Sequence, residues 1–283
     1  MMLQREIIDK LNSNVTLTSD ECAELCNSIL NNQISQEDLV HILTKFNENG
    51  FGSDELSGFA RSMRNLSVKV ETTHMVVDNC GTGGDRSSSF NISTASSLLA
   101  SCCGVKVAKH GNKSITSKSG SADVLSELGI NIKLDSNLLS DSLEKNNFAF
   151  MFAPLHHKAM KYVAEARKII APEKTIFNLL GPLTNPAGAT RQMIGVYSED
   201  VMNDMAEALL KLGVKKALLV VDMPKGSYKN IKEAQKNTSY IMKKTKCDAV
   251  KLESNGKNYK IIRYLVSKNI PVMGHIGFTQ QYK

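Results

Sequence analysis

The sequence lacks any apolar run long enough to cross a membrane. None of its hydrophobic segments approaches the roughly eighteen residues that a spanning helix needs. The first fourteen residues, MMLQREIIDKLNSN, are amphipathic and carry charges of both signs, a pattern that argues against a signal peptide. Hydrophobic residues make up 42% and charged residues 22% of the chain, which is typical of globular proteins. We therefore expect a globular protein of the cytoplasm.

Cysteine is scarce as well. Six cysteines in 283 residues are too few and too scattered for a disulfide framework. Cys22 and Cys26 lie one helical turn apart, and Cys102 and Cys103 end a helical pattern, but neither pair is accompanied by a second Cys or His pair with zinc-ligand spacing. We interpret these residues as buried, reduced thiols.

Acidic residues are under-represented only near the end of the chain. The formal net charge is +7. Residues 222–283 hold 13 Lys and Arg against 4 Asp and Glu, a local charge of +9, so residues 1–221 carry −2. The lysines are scattered, without aromatic interleaving or a nucleic-acid motif, which favours a solvated face over a nucleic-acid partner. The change in composition also marks a boundary near residue 221.

The chain divides into a helical part and a part in which strands and helices alternate. Residues 1–67 carry apolar residues at helical spacing behind capping signals at Thr18, Ser35 and Ser53, with Gly50 as a stop signal. From residue 74, short β-rich runs alternate with helical patterns, which predicts an α/β domain with a largely parallel sheet. The predicted strands are HMVVD, VKVAK, INIKL, FAFMF, QMIGVYS and KALLVV, and the predicted helices cover residues 92–103, 121–128, 136–146, 157–170 and 199–212. We divide the chain into domains at 1–67, 74–221 and 222–283.

The stretch VVDNCGTGGDRSSSFNISTASSLLAS, residues 76–101, combines glycines and hydroxyls between a strand and a helix. Glycines allow a sharp turn and a close approach to a ligand. A helix N-terminus that follows such a turn favours an anion, because its free N–H groups and dipole are positive. The pattern predicts a phosphate site at the carboxyl end of a strand.

Six motifs in sequence resemble the anthranilate phosphoribosyltransferase family over roughly residues 1–220. They are GTGGD (81–85), NIST (91–94), KHGN (109–112), SGSADVL (119–125), FAPLHHKAM (152–160) and IFNLLGPLTNPA (176–187). The related pyrimidine nucleoside phosphorylases share part of the glycine loop, but KHGN and GPLTNPA favour the anthranilate family. The resemblance implies transfer of a phosphoribosyl group from phosphoribosyl pyrophosphate (PRPP) to anthranilate, a Mg²⁺ cofactor and a homodimer.

The same resemblance assigns roles to residues of this chain, none of them a general base. Residues expected to bind PRPP are Gly81, Gly83, Gly84, Asp85, Asn91, Ser93, Thr94, Lys109 and Ser121. Residues expected at the anthranilate site are Gly81, His110, Asn112 and Arg167. Ser93 is also the expected metal ligand. We interpret His156 and His157 as residues of the core edge.

The resemblance stops after KKALLVV. The family's acidic Asp–Glu pair, its main magnesium ligand, does not follow in residues 222–283, so low turnover is expected. Residues 218–282 instead resemble part of ketopantoate hydroxymethyltransferase, through VVDMPKGSY, CDAVKLESNG and IPVMGHIGFTQQ. That resemblance implies Asp222 and Glu253 as metal-side carboxylates, Lys251 as a substrate contact and His275 as a residue lining the site.

Three functions remain open from the sequence. The first is phosphoribosyltransferase activity. In that case the chain joins two families near Val220–Val221, and it is a natural fusion, the product of a degraded gene or an artificial chimera. The second is ketopantoate hydroxymethyltransferase chemistry. The third is a catalytically dead scaffold that binds phosphate or dimerises. For residues 222–283 we predict helix 231–245, strand 248–252, helix 257–268 and strand 271–274, either extending the sheet or docking as a βα unit.

Overall fold

The computed structural model describes residues 2–82, 91–114, 120–196, 201–223, 226–253 and 258–275. The helices in these ranges are α1 (Met2–Asn12), α2 (Ser19–Leu30), α3 (Gln36–Asn49), α4 (Ser53–Leu66), α5 (Ile92–Cys102), α6 (Ser121–Glu127), α7 (Ser136–Asn146), α8 (Ala153–His156), α9 (Ala164–Ile170), α10 (Met202–Lys211), α11 (Ile231–Thr245) and α12 (Tyr259–Ser267). Short 3-10 helices cover Lys158–Val163, Ile176–Asn178 and Gly181–Leu183. The strands are β1 (Val77–Asp78), β2 (Val107–Gly111), β3 (Phe148–Phe152), β4 (Arg191–Ile194), β5 (Lys216–Asp222), β6 (Ala249–Glu253) and β7 (Val272–His275).

Capping side chains define where the first helices begin. The Thr18 hydroxyl accepts from the Glu21 N–H, and the Glu21 carboxylate accepts from the Thr18 N–H at 2.9 Å, which completes a capping box for α2. The Ser35 hydroxyl accepts from the Asp38 N–H at 3.1 Å and so caps α3. The prediction that Ser53 caps the next helix is wrong by one residue. Gly52 is the N-cap, and its N–H donates to the Glu55 carboxylate instead.

Helices α2 and α4 approach each other closely through a glycine. A methyl group added at Gly58 would lie 2.3 Å from the Ser19 carbonyl oxygen and 2.7 Å from the Cys22 Cβ. The core behind this contact contains an edge-to-face series in which the Phe59 ring lies 5.5 Å from Phe46 and 5.6 Å from Phe177. Because Phe177 belongs to the later part of the chain, the helical domain and residues 163–214 share one core.

The sheet is wholly parallel among the described strands, in the order β3-β2-β1-β4-β5-β6-β7. The chain runs outward from β1 through β2 to β3, and then returns to place β4 on the other side of β1. The order therefore reverses between β1 and β4. In open parallel sheets, the crevice at the carboxyl ends of such strands is the usual ligand site.

Two predicted elements differ from the structure. INIKL (130–134) is not a strand. Its backbone pairs with no described strand, while Ile132 packs into a cluster with Phe148 and Phe150. The single helix predicted for 157–170 is divided into the 3-10 helix Lys158–Val163 and helix α9. In both places the apolar spacing correctly identifies buried residues. The type of secondary structure depends on backbone hydrogen bonding, which the spacing does not specify.

The last part of the chain extends the same sheet. Val220 pairs with Ala249 and Asp222 with Lys251, and β6 pairs in turn with β7. Helix α11 occupies the predicted residues, and β6, α12 and β7 lie within a few residues of their predicted positions. Of the two arrangements left open by the sequence, the structure has the extended sheet.

The prediction that the cysteines are buried is correct for only some of them. Cys22, Cys26 and Cys247 are buried, whereas Cys102 and Cys103 are exposed, because α5 ends at the surface.

No helix within the described ranges has both the length and the apolar character needed to span a bilayer.

Candidate functional site

The glycine-rich turn begins at the switch point of the sheet. After β1, the Thr82 N–H donates to the Gly195 carbonyl, which follows β4, at 3.0 Å. A methyl group at Gly81 would lie only 3.2 Å from that same oxygen. The two strand ends therefore approach closely because position 81 has no side chain. Gly83, Gly84 and Asp85 lie outside the described residues.

The first turn of α5 presents the NIST residues next to this turn. The Asn91 side chain accepts from the Thr94 N–H at 3.1 Å and so caps the helix. Ser93 is exposed. Thr94 is buried, and its hydroxyl oxygen has no hydrogen-bond partner in the described part of the chain. A capped helix start with a spare hydroxyl favours an anionic ligand.

Lys109 is nearly inaccessible, with 1% of its surface exposed. Its ammonium donates to the Asn79 side-chain oxygen at 2.9 Å. Burial lowers the pKa of Lys109, and the charge of the Asp78 carboxylate opposes that effect. The Lys109 ammonium is thus buried near the carboxyl ends of the strands, beside α5, and does not extend into solvent.

A buried carboxylate organises the inner side of the site. Asp78 is fully buried and accepts from the His110 N–H at 3.2 Å and from the Asn185 amide at 2.8 Å. Asn185 also donates to the Ala108 carbonyl at 2.9 Å. Burial raises the pKa of the Asp78 carboxyl, and the nearby charge of Lys109 counteracts the rise. This network joins β1, β2 and the GPLTNPA segment.

His110 lies in the core behind the strand ends, 3% exposed. Its Nδ1 lies 3.0 Å from the Gly181 carbonyl oxygen, so Nδ1 carries the proton, because a carbonyl only accepts. Burial, reinforced by the charge that His157 would carry, lowers the pKa of His110 to about 3. The imidazole is therefore neutral at pH 7, and its Nε2 is a buried acceptor without a partner in the described part of the chain. His156 and His157 are buried core-edge residues, as expected.

Gly111 brings the start of α6 against the end of β2. A methyl group at Gly111 would lie 2.8 Å from the Phe150 ring and 3.2 Å from the Ser121 Cβ. The Ala122 N–H donates to the Asn112 carbonyl at 3.2 Å, and the Asn112 side chain is exposed. Ser121 and Asn112 therefore lie together at this strand end.

Arg167 lies on α9, which packs against α3 rather than against the strand-end cluster. Its side chain is half-buried, and burial lowers the pKa of the guanidinium. No hydrogen bond or ion pair joins this guanidinium to any of the described residues. A half-buried cation without a protein anion is suited to an anionic ligand.

The metal ligands stay predictions. Asp222 ends β5 and Glu253 ends β6, both at the carboxyl edge, but their side chains lie outside the described part. Mg²⁺ in proteins usually takes one or two carboxylates together with substrate phosphates. Within the described ranges Ser93 offers a single hydroxyl, and no three acidic, Cys or His side chains converge to hold a metal. These side chains alone do not make a magnesium site.

Asp78, Asn79 and Asn185 are not among the site residues predicted from the sequence. Asp78 is the last residue of the predicted strand HMVVD and Asn79 directly follows it, and polar residues at that place are a usable signal for a site. Asn185 lies inside GPLTNPA, but its contact with Asp78 spans 107 residues and needs the fold.

Known protein families match both parts of this chain. The model of the glycosyl transferase family helical bundle domain matches residues 5–67, and that of the a/b domain matches residues 73–261. Anthranilate phosphoribosyltransferase of Bacillus caldotenax is 43% identical over 216 residues, which cover 76% of this chain and 89% of that relative. The chain belongs to the anthranilate phosphoribosyltransferase family.

Other anthranilate phosphoribosyltransferases match over a similar part of the chain. The protein of Halalkalibacterium halodurans is 48% identical over 72% of this chain and 60% of its own length. The Thermus thermophilus crystal structure aligns with a TM-score of 0.70 and 36% identity, over 73% of this chain and 63% of that one. The Saccharomyces cerevisiae enzyme in complex with PRPP and Mg aligns with a TM-score of 0.68 and 28% identity, over 75% and 64%.

The chain spans less than two thirds of the length of most of these anthranilate phosphoribosyltransferases, 63% for that of Geobacillus kaustophilus. The a/b family model nevertheless continues to residue 261. It therefore passes the predicted join at Val220–Val221, in agreement with the continuous pairing of β5 and β6.

Proposed function

We propose that this chain transfers the phosphoribosyl group of PRPP to anthranilate and releases pyrophosphate, in tryptophan biosynthesis. The observation that supports the proposal most strongly is the buried Lys109 ammonium beside the first turn of α5, at the switch point of a parallel sheet. A cation, a helix N-terminus and a glycine turn at one place suit a ligand rich in phosphate. Membership of the family favours PRPP as that ligand.

In the proposed reaction one bond forms, one bond breaks and one proton is released. The anthranilate amine forms a C–N bond to the ribose C1 as the C1–O bond to pyrophosphate breaks. The bonding pair leaves with pyrophosphate, and the nitrogen releases its extra proton to water. Negative charge grows on the leaving group, where Lys109 and the N–H groups of α5 would stabilise it. The acceptor is a neutral aromatic amine, so no strong general base is required.

We propose Mg²⁺ as the cofactor, which would neutralise pyrophosphate charge when it binds with the substrate. Ser93 is the described residue that would contact it. Because residues 1–283 lack the family's acidic Asp–Glu pair, we expect turnover well below that of relatives that have the pair. We also propose a homodimer, from family membership alone.

The ketopantoate hydroxymethyltransferase alternative rests on the motifs of residues 218–282. The relatives described above do not support it, and Glu253 and His275 have side chains outside the described part. The alternative predicts formaldehyde-dependent chemistry on a 2-oxo acid. The dead-scaffold alternative predicts PRPP binding without turnover.

A product assay tests the proposal. The full chain is incubated with anthranilate, PRPP and Mg²⁺, and the loss of anthranilate fluorescence is followed while mass spectrometry identifies the product. We expect slow formation of phosphoribosyl anthranilate that requires PRPP. Binding of PRPP without any product would favour the scaffold, and product from formaldehyde and a 2-oxo acid would favour the other enzyme.

Arg167 provides the test of the acceptor site. We expect Arg167→Ala to raise the KM for anthranilate about tenfold or more, because an Arg–carboxylate contact is a charge-assisted hydrogen bond. The affinity for PRPP should stay unchanged. Lys168→Ala is the matched control, since this exposed neighbour pairs only with Glu165 in the described part. Equal anthranilate KM values in the two variants would contradict the assignment of Arg167.

A further inference from the structure

Asn79 lies directly after β1, and its side chain contacts both β2 and α5. Its Oδ1 accepts from the Lys109 ammonium at 2.9 Å and lies 2.7 Å from the Ser97 hydroxyl. Its Nδ2 donates to the Ser93 carbonyl at 2.7 Å and lies 3.1 Å from the Ser96 hydroxyl. Each donor and acceptor position of the amide is therefore used.

The orientation of this amide is fixed by its partners. An ammonium can only donate, so the Asn79 oxygen must face Lys109, and a carbonyl can only accept, so the NH₂ group must face Ser93. The amide thus orients the cation and the first turn of α5 relative to each other.

The Lys109 ammonium keeps spare hydrogen-bonding capacity. It carries three N–H donors, and the hydrogen bond to Asn79 is the one found in the described ranges. At 1% exposure it also has almost no contact with bulk water. A buried cation whose other donors have no partner among the described residues, beside a helix start, is suited to meet an anion that enters between them.

We propose that Asn79 is a positioning residue that holds the Lys109 ammonium against the first turn of α5, and so sets where this cation meets the pyrophosphate of PRPP. This inference rests on the proposed function, since it assigns Asn79 a part in the same site. Asn79 acts through Lys109 and needs no contact of its own with the substrate.

A double-mutant cycle on the full chain tests the proposal. Binding of pyrophosphate with Mg²⁺ is measured by calorimetry for the wild type, Asn79→Leu, Lys109→Met and the double variant. Leucine has nearly the shape of asparagine and no polar atoms. We expect Asn79→Leu to weaken binding roughly tenfold, as for loss of a hydrogen bond to a charged group. In the Lys109→Met background the same substitution should change the affinity less than twofold.

Asn49→Ala is the matched control. Asn49, an exposed residue, likewise donates from its side-chain amide to a carbonyl, that of Leu11 at 2.8 Å, but in the helical domain. Its loss should leave pyrophosphate affinity unchanged. Thermal unfolding identifies the folded variants first, and Asn79→Ala replaces Asn79→Leu if the leucine does not fit.

The outcomes separate the two proposals. Equal weakening in both backgrounds would overturn the positioning role, because it would show that Asn79 supports the α5 turn independently of Lys109. Unchanged binding in Asn79→Leu would overturn it as well and leave the proposed function intact. Failure of the wild type to bind either pyrophosphate or PRPP would overturn the proposed function and this inference together.

Discussion

Lys109 and His110 are adjacent in the chain, and strand β2 sends their side chains to opposite faces of the sheet. The Lys109 ammonium meets Asn79 beside α5, whereas the His110 ring meets the Gly181 carbonyl. Two residues of one motif therefore take different tasks. The cation faces the proposed anion site, and the neutral imidazole contacts the loop at Gly181.

The residue types at the site could be predicted from the sequence, but their partners could not. KHGN and NIST identify Lys109, Asn91 and Thr94 through the resemblance alone. Asn79 contacts Ser93 and Lys109, which are 14 and 30 residues away, so no local pattern reports these bonds. Hydrogen bonds of this range appear only once β1, β2 and α5 are assembled.

The buried histidines should make stability depend on pH. Burial lowers the pKa of His157 to about 4, below its ordinary value of 6.5, so the folded state binds this proton less readily than the unfolded state. Stability is then greatest above pH 6.5 and falls as the pH decreases toward 4. Each such histidine removes about 1.4 kcal/mol per pH unit in this window. Urea unfolding of the wild type between pH 7.5 and 5 measures the slope.

His157→Gln can keep a donor for the Thr184 carbonyl, which His157 Nε2 contacts at 3.1 Å, and cannot take up the proton. It should reduce the pH slope, whereas His41→Gln, at an exposed position, should leave the slope unchanged. Identical slopes in the wild type and His157→Gln would contradict the assignment.

At the scale of elements, close approach between helices depends on Gly58. Any side chain there meets the Ser19 carbonyl and Cys22, which belong to the backbone and core of α2 and cannot move aside. We expect Gly58→Ala to destabilise the fold by about 2 kcal/mol, within the range for overpacked cores, although alanine is the better helix former. Gly181→Ala is the control, since a methyl group there meets no atom within 4 Å.

Denaturant midpoints of both variants measure this difference. A Gly58→Ala protein as stable as the wild type would show that α2 and α4 can separate freely, contrary to the contact described here.

Helices with capping signals could be predicted closely, because caps and apolar spacing are local. Helices α2 and α3 begin within a residue of their signals. INIKL failed because alternation of apolar residues indicates burial on one side and does not by itself supply a pairing partner. The division of residues 158–170 into two helical segments likewise has no local signal in the apolar spacing.

At the scale of the whole molecule, strands β6 and β7 belong to one sheet with the strands before them. The change in charge near residue 221 does not divide the sheet, because β5, which spans it, pairs with β4 on one side and β6 on the other. Composition describes the solvent-facing side chains, whereas backbone pairing follows the alternation of strands and helices.

A substitution at Leu252 tests whether strands β6 and β7 unfold together with the rest of the protein. Leu252 is fully buried in a cluster with Val250 and Leu265, so Leu252→Ala should destabilise the fold by about 2–5 kcal/mol. We expect calorimetry to show one unfolding transition that moves down as a whole. Val266→Ala, at an exposed position of α12, should have little effect. A separate early transition in Leu252→Ala would show that residues 222–275 unfold independently.

The central claim is that the strand ends of β1, β2 and β4 and the start of α5 bind PRPP. Thermal unfolding of the whole chain with and without PRPP and Mg²⁺ tests it most directly. At about a hundred times its dissociation constant the ligand should add roughly 2.7 kcal/mol to the free energy of unfolding. Lys109→Met should lose most of that gain. A cooperative transition that PRPP does not move at any concentration would contradict the claim.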